Sequence, residues 1–163
     1  MNVQSKIEPD TLYERDFHAW LEVQARLLRG GEVDALDLPN LLEEIESLGK
    51  SELSEVRSRL TVILEHLLKC QFALNRNPSA GWRRTLLVQR DDLGKVLKDS
   101  SSLKPRVTGL VPDAFTSARK RALVGFEEHE GDEMAHYRRV LPLDCPYTVE
   151  QILDEDWLPD PQV

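Results

Sequence analysis

The stripe Leu42, Ile45, Gly49, Leu53, Val56, Leu60, Ile63, Leu64, Leu67, Cys70, Gln71 and Leu74 constrains this 163-residue chain more than any other feature. Its steps of three and four put every member on one side of an α-helix at about 100° per residue. The phase passes Gly49 without a jump. One helix over residues 39–75 is therefore expected instead of two, although a helical glycine costs about 1 kcal/mol. Such a helix would be about 54 Å long at about 1.5 Å per residue, which is long for a chain of this size.

Three further segments carry the same period. Tyr13, Phe17, Trp20, Gln24, Leu27 and Leu28 share a face of a helix that starts near Asp10 or Thr11 and stops at Gly30-Gly31. After the turn-forming residues 75–81, Trp82, Leu86, Gln89, Leu93, Val96 and Leu97 define a third stripe. The fourth holds Leu103, Val107, Leu110 and Ala114. Beyond Pro112 it is expected to rotate to Phe115, Ala118, Ala122 and Phe126, as a proline kink would require. Residues 134–140 suit a short helix, and T-V-E-Q from Thr148 has the capping-box form that starts another. Nothing sustains a period of two. The expected fold is all-α: an antiparallel bundle of four long helices plus short C-terminal helices, in one domain. Residues 1–9 are expected to be flexible, and the tail 155–163 to fold back on the bundle.

With 40% hydrophobic and 31% charged residues, the composition suits a soluble globular protein. The net charge of -8 and pI near 5.0 oppose binding to phosphate backbones. Nucleic acid is therefore a disfavoured partner, although Arg83, Arg84 and Arg90 in W-R-R-T-L-L-V-Q-R and Arg119, Lys120 and Arg121 in S-A-R-K-R would form its surface. No apolar run reaches the ~18 residues that span a bilayer, so no membrane role is expected. The polar first residues lack an apolar signal core, which points to the cytoplasm. The two cysteines, Cys70 and Cys145, form neither a disulfide framework nor a zinc spacing.

The stretch N-L-L-E-E-I-E-S-L-G-K-S-E-L from Asn40 is dense in acid. At helical spacing Glu43, Glu44 and Glu55 turn away from the leucine stripe and are free to pair with Lys50, Arg57 or Arg59. Glu46 lies only about 40° from Leu42 and is expected to point inward. Gln24, Gln71 and Gln89 fall on stripes as well. Counting outward from the turns sets Gln24 level with Glu46, and Gln89 level with residues 67–71. Two polar layers are thus expected inside the seam. They would fix helix register, or alternatively hold a ligand. Trp82 and Arg90 complete the candidate set, Arg90 as a clamp on the acids of the second helix or as a stacking partner for the tryptophan ring.

A di-iron carboxylate bundle needs two Glu-x-x-His pairs and two more glutamates facing the core. Only Glu133-Met-Ala-His136 has that spacing, with His129 nearby, and no metal or other cofactor is favoured. Cys70 in an apolar seam would be a poor nucleophile.

The stretches L-Y-E-R-D-F-H-A-W-L, L-P-N-L-L-E-E-I-E-S-L-G-K-S-E, L-L-K-C-Q-F, W-R-R-T-L-L-V-Q-R and C-P-Y-T-V-E-Q-I-L-D run nearly end to end. With them the chain resembles the bacterial helical proteins of domain-of-unknown-function family twenty-nine. That resemblance implies an all-α fold and a bacterial cytosolic setting, and it implies no activity. Residues 126–141 match no pattern of the family. The function expected is association without catalysis, with a second copy or a protein partner, the long helix presenting the surface. A metal- or ligand-binding bundle, or an enzyme, built on inward Glu and Gln residues is the alternative.

Overall fold

A computed structural model describes residues 11–76 and 79–162; the arm expected over residues 1–9 lies outside the described residues. Among the described residues seven α-helices follow one another: α1 (Leu12–Arg15), α2 (Phe17–Gly30), α3 (Leu38–Phe72), α4 (Ser79–Asp99), α5 (Val107–Glu130), α6 (Met134–Val140) and α7 (Val149–Leu153). Short 3-10 turns precede α3, α5 and α6, and no strand occurs among the described residues. The protein is all-α. It comprises two compact units, residues 1–50 and 51–163.

The first unit is a helical hairpin. Thr11 opens α1 with a capping box closed by Glu14. Asp16 then interrupts the helix and recaps α2 by accepting from the Ala19 N–H at 3.0 Å. The single first helix expected from periodicity is thus split in two, because an aspartate offers the backbone a competing partner. Gly31, at φ 70°, ends α2 in the left-handed conformation that glycine adopts without strain. The chain reverses, and Asp37 caps α3 through the Asn40 N–H. Helix α3 runs unbroken through Gly49, as the apolar phase requires.

The second unit is built on three long helices. Arg59 meets Asp92 and Glu52 meets Ser100, so α4 runs antiparallel to α3. Helix α5 returns parallel to α3, bringing Gly125 so close to Lys69 that an added Cβ would lie 3.0 Å from its Nζ. Val56, Leu60, Ile63, Leu64 and Leu67 of α3 meet Leu86, Leu93 and Leu97 of α4 and the small and aromatic side chains of α5 in one core. Each such leucine or isoleucine contributes about 1.5–3 kcal/mol by leaving water. On α5 the buried residues Val107, Val111, Ala114, Phe115, Ala118, Ala122 and Phe126 form one continuous stripe through Pro112. The expected rotation does not occur, since Val111 is buried within that stripe and Leu110 packs only partly buried beside it.

The short C-terminal helices close this core. Tyr137 of α6 is fully buried, stacked on Phe126 with ring centroids 4.0 Å apart. Its hydroxyl donates to Glu130 at 2.6 Å and accepts from the Leu74 N–H at 3.0 Å. Glu130 also accepts from the Asn75 N–H, so one phenol and one carboxylate anchor the chain leaving α3. Thr148 and Gln151 form the capping box of α7 in both directions.

Burial, and next the hydrogen bond to Glu130, push the Tyr137 phenol up to about 12. The folded state therefore holds this proton more tightly than the unfolded chain, whose tyrosines titrate near about 10. Its stabilisation is complete below that value and is lost as pH rises through it towards about 12. Tyr137→Phe should cost about 1–3 kcal/mol at neutral pH, because the Leu74 N–H loses its partner. The variant's urea midpoint should also fall less steeply than the parent's on going into that alkaline range. Equal midpoints at neutral pH would show that the phenol does not tie the turn.

Candidate functional site

The polar residues on the apolar stripes separate into local clusters, each with its own partner. Gln24 is 5% exposed and accepts the Asp37 N–H at 2.9 Å. Trp20 Nε1 donates to the same aspartate's carboxylate at 3.1 Å, and Asn40 Nδ2 donates at 2.7 Å. These donors, Asn40 foremost, hold the Asp37 carboxyl below the usual carboxylate range. Gln24 is thus level with the start of α3 and not with Glu46. Glu46 itself points outward and pairs loosely with Lys50 at 3.8 Å. The stripe used to place it inward is itself open to water over this half of α3, so lying near the stripe buries nothing. Glu44 accepts from the Tyr13 hydroxyl, which lifts that phenol to about 12.

On α4 the inward position belongs to Arg90 in place of Gln89. Gln89 lies half-buried at the edge of the α3–α4 contact, where Arg59 Nη1 donates to it at 3.4 Å; it is level with Arg59 and not with residues 67–71. The buried series is Leu86, Arg90, Leu93 and Leu97, a helical 4-3-4 spacing that admits Arg90 as readily as its neighbour. Arg90 is 3% exposed and grips backbone, not the acids of α3. Its Nε donates to the Ile152 carbonyl at 2.9 Å, Nη2 to that of Gln151 at 2.9 Å and Nη1 to that of Trp157 at 2.8 Å. The first two are last-turn carbonyls of α7, which a helix leaves without internal donors. Burial lowers the guanidinium pKa from its ordinary value, while Asp154 and Glu155 oppose that shift.

Gln71 pins the same region from α3. Its side chain accepts from the Tyr147 hydroxyl at 2.7 Å, and its carbonyl accepts from the Gln162 N–H at 2.8 Å. Trp82 is half-buried against the core and borders a small cavity of ≈ 140 Å³ with Phe126, Glu128, His129 and Glu130. His129 bonds back to the Gly125 carbonyl at 2.9 Å, Glu133 is exposed, and His136 packs edge-on to Tyr137. Among the described residues no three of His, Cys, Asp and Glu converge to hold a metal. Cys70 and Cys145 are free thiols that burial pushes up, which disfavours the thiolate. Gln24 and Gln71 thus each commit the side-chain oxygen, and Arg90 all three guanidinium nitrogens, to backbone or to one phenol.

What the first unit leaves unsatisfied is apolar. Eight of the thirteen exposed large hydrophobic side chains among the described residues lie before residue 50. Leu42, Ile45 and Leu48 are 59%, 65% and 68% exposed. Phe17, Leu21 and Leu28 line up on α2, and Leu38, Leu42 and Ile45 on α3. In each helix's own N-to-C sense, the stripe on α2 leads Trp20 and the stripe on α3 leads its partner Asp37 by roughly 80–110°. The two helices run antiparallel, so equal leads place both stripes on one side of the hairpin. Among the described residues no helix is long and apolar enough to cross a membrane.

Arg90→Met should destabilise the second unit by about 3 kcal/mol, since hydrogen bonds to charged groups contribute about 1.5–3 kcal/mol and the carbonyls stay buried. Arg90→Lys should recover little, because an ammonium cannot span three carbonyls. Urea unfolding checks the first number, and a red shift of Trp157 emission would report release of the tail. A parent-like midpoint in Arg90→Met would show that the clamp carries no stability.

No curated protein matches the chain, and no solved structure does. A family model described as "Domain of unknown function DUF29" matches residues 12–158, from the start of α1 to the leucine just beyond Arg90's last carbonyl partner. The match spans both units and nearly the whole sequence, and the protein belongs to the DUF29 family.

Proposed function

We propose that this protein acts by association instead of catalysis, and that its partner is a second copy of itself docked on the apolar face of the α2–α3 hairpin. The observation that carries the reading is the joint exposure of Phe17, Leu21, Leu28, Leu38, Leu42 and Ile45 on one side of two packed helices. Side chains of this kind left about half in water present roughly 600 Å² of apolar surface, at the upper end of what the largest patch on a monomer shows. Each partner of a standard interface contributes roughly 800 Å². A hairpin pair is therefore close to the area that a stable dimer needs.

A second copy fits better than an unlike partner for a physical reason. The face is apolar on both helices, so an isologous two-fold contact sets like upon like with no charge to match. Four amphipathic helices also bury what two cannot, since a hairpin has a single internal seam. The polar stripe residues favour association over catalysis in their turn, because their hydrogen bonds serve caps and carbonyls. A reducing, cytoplasmic setting agrees with two thiols that remain unjoined.

Sedimentation velocity at micromolar concentration should give a dimer. Leu42→Glu with Ile45→Glu should give a monomer with an unchanged circular dichroism spectrum, because both positions are already in water in the single chain. A monomeric parent, or a dimer that survives both glutamates, would overturn the reading.

A further inference from the structure

Helices α3 and α5 run parallel with a constant offset, and the outer side of their contact opens into a groove of ≈ 480 Å³. Its lining is polar at every position. Arg57, Ser58 and Thr61 come from α3; Asp113, Thr116, Ser117 and Arg121 come from α5. On α5, Asp113, Ser117 and Arg121 recur every fourth residue, which draws them into one row facing the α3 pair Arg57 and Thr61.

The two arginines share this groove with a single acid, Asp113. Among the described residues neither guanidinium has an ion pair or a hydrogen bond. The nearest acid on α3 to Arg121 in sequence register is Glu65, and it is already bonded to Lys69 at 2.6 Å. Arg59, two residues from Arg57, has both Glu55 and Asp92. Arg119, beside Arg121, donates to the Pro142 carbonyl. Arg57 and Arg121 thus bring about ten N–H donors between them to the lining of one groove, counting about five per guanidinium.

The hydroxyls divide into two kinds. Thr61 and Thr116 donate to the carbonyls of Arg57 and Pro112, four residues back, and so offer only lone pairs to the groove. Ser58 and Ser117 keep their protons for a ligand. Asp113 adds a second acceptor. The groove therefore provides strong cationic donors for an anion together with acceptors that require O–H groups.

We propose that this groove binds a small phosphate monoester that also carries hydroxyl groups. The phosphate takes Arg57 and Arg121, whose planar forks match its oxygens, with Ser58 or Ser117 as supplementary donors. Ligand hydroxyls donate to Thr61, Thr116 and Asp113. A nucleic-acid strand fits less well: it needs a continuous basic track and stacking rings, and this groove has two cations, an aspartate and no aromatic residue. The site lies wholly within the second unit and does not depend on the dimer reading.

The test uses the full chain, titrated by calorimetry at fixed ionic strength with glycerol 3-phosphate, inorganic phosphate, sulfate and glycerol. Glycerol 3-phosphate should bind saturably and more tightly than inorganic phosphate or sulfate, and glycerol should not bind. Arg57→Gln with Arg121→Gln should leave the melting temperature without ligand unchanged, since neither side chain has a partner to lose. Each substitution should weaken binding by about tenfold or more. Absence of saturable binding, equal binding by the double variant, or sulfate matching glycerol 3-phosphate would each overturn the proposal. So would a mixed-sequence oligonucleotide that binds and is not displaced by glycerol 3-phosphate.

Discussion

The second unit depends on a positive charge placed where water cannot reach it. Arg90 leaves solvent at a cost of several kcal/mol if unpaired, and three carbonyls in fixed positions offset that cost. The guanidinium holds two last-turn carbonyls of a five-residue helix too short to persist alone, and it reaches the backbone of Trp157. With α7 fixed, Ile152 fills the core and Tyr147 meets Gln71. The tail is then held through Gln162. Packing alone would permit α7 several docked positions; the three-pronged fork permits one.

The first unit has an analogous device at its surface. Asp37 caps α3 while its carboxylate gathers Trp20 and Asn40 and its N–H goes to Gln24. One aspartate therefore starts a helix and sets the register of the hairpin. The arrangement explains why a glutamine sits on the α2 stripe. The contact is narrow, however, and the hairpin has only one internal seam. The apolar residues beside that seam stay in water, which makes association the economical way to cover them.

Periodicity is enough to read α3, which keeps one phase from Leu42 to Leu67, and the capping box Thr148–Gln151 marks α7, but periodicity misses the break at Asp16 and the unbroken stripe through Pro112. The sites were read less well, for reasons that differ residue by residue. Spacing alone sets Gln89 on the third stripe and leaves Arg90 at its edge; the three carbonyls that receive Arg90 lie more than sixty residues away in sequence and leave no local trace. Glu46 does lie close to Leu42 around the helix, yet that face is exposed. Asp37 stood in plain sight before Leu-Pro-Asn, the pattern of a helix start, and what the sequence did not reveal was that Gln24 and Trp20 would both reach for it. Arg57 and Arg121 read as ordinary charges in the sequence, and only the packing of α3 beside α5 brings them to one groove.

The behaviour of α3 follows from these particulars. Its apolar stripe is one continuous pattern, but the chain supplies cover for only part of it: from Val56 onward α4 and α5 complete a core, whereas Leu38, Leu42 and Ile45 have α2 on one flank only. Periodicity records which side of a helix is apolar and carries no information about what lies against it. Exposure is set by how many other helices the chain can bring to that level, which depends on turns and caps such as Gly31 and Asp37. A stripe that continues where intramolecular cover ends is an unmet requirement of the sequence itself. A second chain meets it without any new residue type, because the surface it must match is the one it already carries.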